Sequence, residues 1–401
     1  MSLPSPLSET SPIAAAPPHS QAVIASLPDE PPATSALPFL EQTMNTAVQA
    51  GASDIHFEPM AQRFRVRLRI DGRLHEQAEV PPPWRDVLIA RLKVLAHLDI
   101  AQKRLPQDGR MVWREAGEPV ECRVSSLPTL HGEKIVVRLL DGAKVALALE
   151  TLGYTPEQYR ALTQAITRPH GMILLTGPTG SGKTVSLYSC LRRLNDASRN
   201  IVTVEDPVEI RLPGITQVNV NERAGLDFAR ALRAFLRQDP DVLVVGEIRD
   251  TETAAIAVQA AQTGHLVFAT VHANDAPGVV ARLLDLGVAP FNLSSTLLLV
   301  SAQRLVRRRC PAGCEPTQRS ADTAHHACMR CRGTGFAGRI GVFQVMPVSA
   351  LQATNIAQSR SPQAIAAQAQ SEGIMTLREA GLWHVAAGTV SREEVDATTP
   401  S

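Results

Sequence analysis

One stretch constrains the fold more than any other: the apolar run Met172–Thr176 passes directly into Gly177-Pro178-Thr179-Gly180-Ser181-Gly182-Lys183-Thr184. This octapeptide satisfies the pattern G-x4-G-K-S/T in full, and a helical pattern begins near Lys183. Glycines in such a loop let backbone N–H groups curl round phosphate oxygens, and the helix N-terminus adds its positive end. Lys183 is then placed to reach the β- and γ-phosphates, and Thr184 to ligate Mg²⁺. A glycine-rich turn with no nucleotide is the bland alternative. The strand–loop–helix context argues against it.

Around this loop the chain alternates short, continuously apolar segments with helical patterns. The segments are Met172–Thr176, Ile201–Val204, Val242–Val245 and Leu266–Val271. Strands apolar on both faces and separated by helices predict an α/β domain with a mostly parallel sheet. Acids follow two of them. Glu205 opens Glu205-Asp206-Pro207-Val208-Glu209 after the second, and Glu247 follows Gly246 after the third. Carboxylates at the C-terminal ends of parallel strands fall where such sheets bind ligands. A phosphate loop needs them to hold Mg²⁺ and to orient water. Gly246 stands where many P-loop enzymes have Asp. His265 and His272 bracket the fourth strand. They are candidates for sensing the γ-phosphate or linking subunits, but a strand of that length holds them about 23 Å apart, too far to share a zinc ion.

Cys310, Cys314, Cys328 and Cys331 form two close pairs, followed by Gly333-Thr334-Gly335. Two such pairs suit a closed tetrahedral Zn²⁺ site that stabilises a loop and does not catalyse. His325 and His326 are possible substitutes for one thiolate. Cys122 and Cys190 are isolated and are expected in the core.

The 401 residues allow two or three domains at about 100–200 residues each. Residues 1–38, rich in Pro, Ser and Ala, read as a disordered tail. A helix is expected over 39–50, with Leu40, Met44, Ala47 and Val48 on one face. A strand is expected over 63–70, closed by Asp71-Gly72. Arg63, Arg65, Arg67 and Arg69 line its other face and read mainly as solvated. A further helix is expected over 85–98, with Val87, Leu88, Leu92, Leu95 and Leu98 sharing a face. Strands follow at 120–124 and 134–140. Basic residues number 40 and acidic residues 39, a balance that disfavours binding nucleic acid through bulk charge. No apolar run approaches the ~18 residues of a membrane span, and no Lys or Arg precedes Arg63 to open a secretory signal. The expectation is a soluble, intracellular chain.

From residue 39 onward the motifs resemble, in order, those of the secretion-type ATPases of the GspE/PilB kind, which power type IV pilus assembly and type II secretion. Ala52-Ser53-Asp54-Ile55-His56-Phe57-Glu58-Pro59 resembles the opening of the family's second N-terminal domain. Leu105-Pro106-Gln107-Asp108-Gly109-Arg110 resembles its next conserved segment. Leu187-Tyr188 follows the P-loop as in the family. Val204–Glu209 resembles its Asp box, Arg237–Asp250 its Walker B region, and Thr263–His272 its His box. Gln303-Arg304-Leu305-Val306 with the cysteines resembles its zinc subdomain.

The resemblance implies a PAS-like domain over 39–141, a linker over 142–152 and a RecA-like motor over 153–397. The motor would carry a tetracysteine subdomain at 308–338 and C-terminal helices at 349–397. It also implies ATP, Mg²⁺ and structural Zn²⁺, a hexameric ring, and an inner-membrane platform protein as partner, with the motor cytoplasmic and peripheral at that membrane. ATP would lie on Gly177–Thr184, between the two domains. Glu247 with Thr184 would hold Mg²⁺, and Glu205 would activate water, the two acids being exchangeable on sequence alone. His272 would stand beside them, and Arg123 and Arg138 would reach the phosphates as the ring closes.

Some positions depart from the family's pattern. Val185 replaces a common Thr, Gln344 replaces a common Glu, and the Pro-rich tail stands where longer members carry another N-terminal domain. The rival readings are a retraction, DNA-uptake or conjugation-type ATPase, a nucleotide-gated scaffold that does not hydrolyse, and a nucleic-acid-binding zinc protein. The four cysteines count against retraction, the intact Lys183, Thr184, Glu205 and Glu247 against the scaffold, and the charge balance against nucleic acid.

Overall fold

In the computed structural model the described residues are 35–115, 118–140, 148–314, 328, 330, 331 and 333–400. Most of the predicted tail and linker lie outside them, as do His325 and His326. The chain divides into two compact units, one comprising residues up to Met111 with Arg123–Arg138, the other Val112–Cys122 with Leu139 onward.

The N-terminal part contains α1 (Ala36–Gln49), β1 (Asp54–Pro59), β2 (Phe64–Ile70), β3 (Arg73–Val80), α2 (Arg85–Leu95), β4 (Gln107–Glu115), β5 (Glu118–Thr129) and β6 (Gly132–Leu140). The strands form one sheet in the order β3-β2-β1-β6-β5-β4. Helix α1 starts at Ala36, inside the stretch expected to be tail, and buries Leu40, Met44, Ala47 and Val48 as its periodicity predicts. Helix α2 ends at Leu95 and leaves Val87 exposed, contrary to the expected face. Its buried side instead includes Ile89 and Lys93. Lys93 tolerates full burial because its ammonium meets Glu133 at 2.6 Å and the Gln102 carbonyl at 2.6 Å.

The arginine face of β2 is ion-paired, which corrects the solvated reading. β1 runs antiparallel beside β2 and sets its acids opposite the arginines. Glu58 accepts from Arg65 at 3.0 Å, Arg67 at 2.8 Å and Lys134 at 2.9 Å. Asp54 takes Arg138 at 2.9 Å. Period two fixed which side the arginines share, but their partners came from a neighbouring strand that the alternation did not reveal.

The second part contains α3 (Pro156–Ile166), β7 (Gly171–Thr176), α4 (Lys183–Leu194), β8 (Ile201–Glu205), β9 (Thr216–Asn219), α5 (Phe228–Phe235), β10 (Val242–Val245), α6 (Thr251–Gln262), β11 (Leu266–Val271), α7 (Ala276–Asp285) and α8 (Pro290–Thr296). The long hairpin β12 (Leu297–Arg309) and β13 (Phe336–Pro347) follows, then α9 (Ala350–Ala357), α10 (Pro362–Ser371), α11 (Leu377–Ala386) and α12 (Arg392–Thr398). The sheet order is β13-β12-β7-β11-β10-β8-β9. Among the described residues of this sheet, only the β12–β13 pair is antiparallel. This is the mixed, mostly parallel α/β sheet expected.

Alternate residues of each central strand enter opposite cores. Ile173, Leu175, Val244 and Phe268 pack with α3 and α4 on one face. Met172, Leu174, Val245 and Val267 pack with α5, α6 and α7 on the other. Both faces being covered is why these strands read as continuous apolar runs. Asp227, Asp250, Asp275 and Ser349 each accept a backbone N–H at the start of a following helix.

Glu58 yields a pH prediction. Burial pushes its carboxyl up, but the hydrogen bonds from Arg67, Lys134 and Arg65 outweigh it and hold the pKa at about 2. A depressed folded pKa contributes stability above the unfolded value and loses it as pH falls through the folded one. Thermal unfolding followed from pH 5 to 2 should show the melting temperature falling for the parent. Glu58→Gln should lower it at pH 5 and flatten that acid slope.

Candidate nucleotide site

The phosphate loop leaves β7 at Thr176 and enters α4 at Lys183. Gly177, Gly180 and Gly182 have φ of 145°, 78° and 87°, values that suit glycine. A Cβ on Gly177 would stand 2.5 Å from the Gln303 carbonyl oxygen and 2.7 Å from Ser181 Oγ. No side chain caps α4, and its first turn carries no acid. Its leading N–H groups are therefore left for an anion. Ser181 Oγ is buried without a hydrogen-bond partner among the described residues. An orphaned hydroxyl, an uncapped helix start and a glycine cradle fit a phosphate chain.

Lys183 folds back on the loop, donating to the carbonyls of Gly177 at 2.7 Å and Pro178 at 3.1 Å. Burial lowers its pKa, while the Glu247 charge opposes that shift. The loop is braced from β12: Gln303 Nε2 donates to the Ser181 carbonyl at 2.7 Å. In sequence Gln303 belongs to the segment that leads into the cysteines; its brace on the loop exists only across the sheet.

The strand order brings the remaining groups to the same end of the sheet, with β11 and then β10 and β8 following β7. Glu205, the last residue of β8, is only 5% exposed. It accepts from Tyr188, from Thr203 at 2.7 Å and from Gln217 at 3.4 Å. Burial pushes its pKa up and the three hydrogen bonds oppose that. Glu247, two residues past β10, meets His272 Nε2 at 2.9 Å and Arg249 at 2.8 Å. His272 thus joins the site. His265, at the far end of β11, sets its Nδ1 2.9 Å from the Ala260 carbonyl and stays outside. Asp250, also in the Walker B-like segment, caps α6 by accepting from Thr253 N–H at 2.8 Å.

Gly246 has a local reason. A Cβ there would stand 3.1 Å from both Glu205 Cα and the Val204 carbonyl oxygen, so an Asp would press on the neighbouring strand. Gln344 also acquires a role, its Oε1 accepting the Ala276 N–H at 2.9 Å where α7 begins. Tyr188, Thr203 and Gln217 gave no sequence signal as partners of Glu205. They lie 17, 2 and 12 residues from it, on three different elements.

Arg138 projects from β6 and pairs with Asp54, and Arg123 is a half-buried residue of β5. The four cysteines converge, each offering a sulfur, with all four sulfurs within 4.8 Å of one another. Cys310 Sγ lies 3.8 Å from Cys328 Sγ. Tetrahedral Zn²⁺ with sulfurs at about 2.3 Å needs S···S edges of about 3.8 Å, whereas a disulfide needs about 2.05 Å. Backbone N–H groups of Cys331 and Arg330 draw the Cys328 thiol down, while its hydrogen bond with Cys328 pushes the Cys314 thiol up. The donor set fits zinc.

The family model described as "Type II/IV secretion system protein" matches residues 32–397. The chain belongs to this family. As such it is a secretion-type ATPase. It is 47% identical over 357 residues to the Type II secretion system protein HxcR of Pseudomonas aeruginosa, a match spanning 89% of this chain and 76% of the relative. It is 46% identical over 380 residues to the Type IV pilus assembly ATPase PilB of the same organism, spanning 90% and 67%. Among solved structures, the pilus retraction motor PilT with bound ADP aligns at TM-score 0.61 and 25% identity, over 90% of this chain and 97% of that one. The Legionella pneumophila ATPase DotB shares the fold at TM-score 0.69 and 21% identity, over 92% and 97%. Among the described residues, no helix of this secretion ATPase is long and apolar enough to cross a membrane.

Gly246→Asp in this ATPase should lower nucleotide-free stability by about 1–3 kcal/mol through overpacking against β8. Calorimetry would read this as a lower melting temperature; an unchanged value would show that β8 yields freely.

Proposed function

We propose that this ATPase works as a hexameric motor that drives pilus or pseudopilus assembly through an inner-membrane platform protein. The observation that carries the reading is the meeting of Lys183, Glu205 and Glu247 at one end of the parallel sheet, beside an open glycine cradle. ATP is the substrate, with Gly177, Pro178, Thr179, Gly180, Ser181, Gly182, Lys183 and Thr184 cupping its phosphates. Thr184 and Glu247 would hold Mg²⁺, which would supply charge neutralisation to the phosphates. Lys183 exchanges the carbonyls of Gly177 and Pro178 for phosphate oxygens. Glu205 orients water and takes its proton, and this assignment follows its buried, raised-pKa setting. Glu247, paired with the Arg249 guanidinium and with His272 Nε2, is better suited to the metal. His272, paired with Glu247, senses the γ-phosphate.

In the closed ring, Arg123 and Arg138 from a PAS-like N-terminal domain reach the developing negative charge. Cys310, Cys314, Cys328 and Cys331 would hold Zn²⁺, whose role there would be structural. The motor acts in the cytoplasm, peripheral to the inner membrane, without contacting nucleic acid. Hydrolysis is preferred to a nucleotide-gated scaffold because neither carboxylate is lost.

Phosphate release with Mg-ATP, followed across concentrations that span ring assembly, tests this. Lys183→Ala should abolish ATP binding. Glu205→Gln should retain binding and lower kcat by about 10²–10⁴-fold. Binding without phosphate release in assembled parent rings would overturn the motor. Metal analysis should find about one zinc per chain, lost in Cys328→Ser together with a lower melting temperature.

A further inference from the structure

Glu205 is the acid on which the proposed hydrolysis rests, and its surroundings go beyond a sequence motif. It ends a strand, where a long side chain would ordinarily swing between rotamers. Here both carboxylate oxygens are taken. Tyr188 donates to Oε2, while Thr203 at 2.7 Å and Gln217 at 3.4 Å donate to Oε1. Tyr188 is fully buried, and burial together with the Glu205 charge keeps its hydroxyl protonated far above the usual phenol range, so it is the donor. Gln217 is held in turn, its Nε2 lying 3.0 Å from the Ile210 carbonyl.

The geometry points to Tyr188 and Thr203 as positioning residues that aim the Glu205 carboxylate at the hydrolytic water. This deepens the proposed role of Glu205 and depends on it. Tyr188 sits in α4 five residues after Lys183, about 7.5 Å along the helix axis. The direction of the base is therefore set by the same rigid helix that carries the phosphate-binding lysine. Substrate seated on the loop and the group that activates water share one mechanical frame. A purely structural role would ask only that these buried hydroxyls be satisfied.

The two roles separate in pH dependence. Burial raises the Glu205 pKa, the donors from Tyr188 (α4), Thr203 (β8) and Gln217 (β9) lower it, and the Glu209 charge beyond β8 raises it. Just past the end of β10, Gly246 packs against Glu205 Cα and brings no charge of its own. Removing a donor leaves burial less opposed. The base then gains its proton at higher pH, and the acid limb of kcat moves up.

The test is steady-state hydrolysis of Mg-ATP from pH 5 to 9 by assembled full-length rings of the parent, Tyr188→Phe, Thr203→Val, Thr203→Ser and Glu205→Gln. Expected are an acid limb shifted up by about one pH unit in Tyr188→Phe and Thr203→Val and a kcat at pH 7 about tenfold lower. KM for ATP should stay within about twofold, since neither hydroxyl touches the loop, and Thr203→Ser should recover the parent profile. If Tyr188→Phe fails to fold, the two Thr203 variants decide alone. Parent-like kcat and acid limb in the folded variants, with Glu205→Gln inactive, would sink the positioning role and leave the base assignment standing. An active Glu205→Gln would remove the base assignment itself.

Discussion

Everything at the site depends on β7 being buried on both faces and hydrogen-bonded in parallel to both β11 and β12. A strand held on four sides cannot shift, so the loop leaving its end is presented at a fixed point. Thr176 adds a lock: its hydroxyl donates to the Ala273 carbonyl at 3.0 Å and accepts the Ala273 N–H at 2.8 Å, tying the exits of β7 and β11. Thr270 does the same between β11 and β10 through the Gly246 carbonyl at 2.7 Å. The loop, His272 and the two carboxylates therefore stand on one rigid edge, and preorganisation of this kind is what phosphoryl transfer asks of a protein.

The charged groups of that edge are satisfied by the protein's own atoms. Lys183 lies on two loop carbonyls, Glu247 on Arg249 and His272, and Glu205 on three uncharged donors. The proposed division of labour rests on the differences between these settings. A carboxylate beside a guanidinium and an imidazole suits a metal. A carboxylate buried among neutral donors has a raised proton affinity and suits proton transfer. The N-terminal sheet shows the opposite extreme in Glu58, where three cations overwhelm burial.

Legibility followed the range of the interactions. β10 and β11 were readable to the residue, because burial on both faces writes an unbroken apolar run. β1, β3, β4, β9, β12 and β13 have no counterpart among the expected strands. β3 is largely half-exposed and polar, and β1 sets Asp54 and Glu58 among apolar residues, so neither gives a run nor a clean alternation. Val87 was misassigned because an apolar residue at helical spacing carries no record of whether the facing element arrives. The arginines of β2 were placed on the right face but given no partners, since Glu58 reaches them only through strand pairing.

The sequence by itself determined the phosphate loop, the α/β class, the four clustered thiols and the membership that follows from their order. Each is written in contiguous residues, where a turn needs glycine, a buried strand needs apolar side chains, and a metal needs closely spaced sulfurs. Only the tertiary structure decided that Gln303 braces the loop, that Gly246 leaves little room for a side chain beside Glu205, that His272 and not His265 joins the acids, and that Tyr188 reaches Glu205 across 17 residues of chain. Those contacts are set by strand order and helix docking. No local pattern of residues encodes a hydrogen bond whose two ends meet only after the sheet has closed.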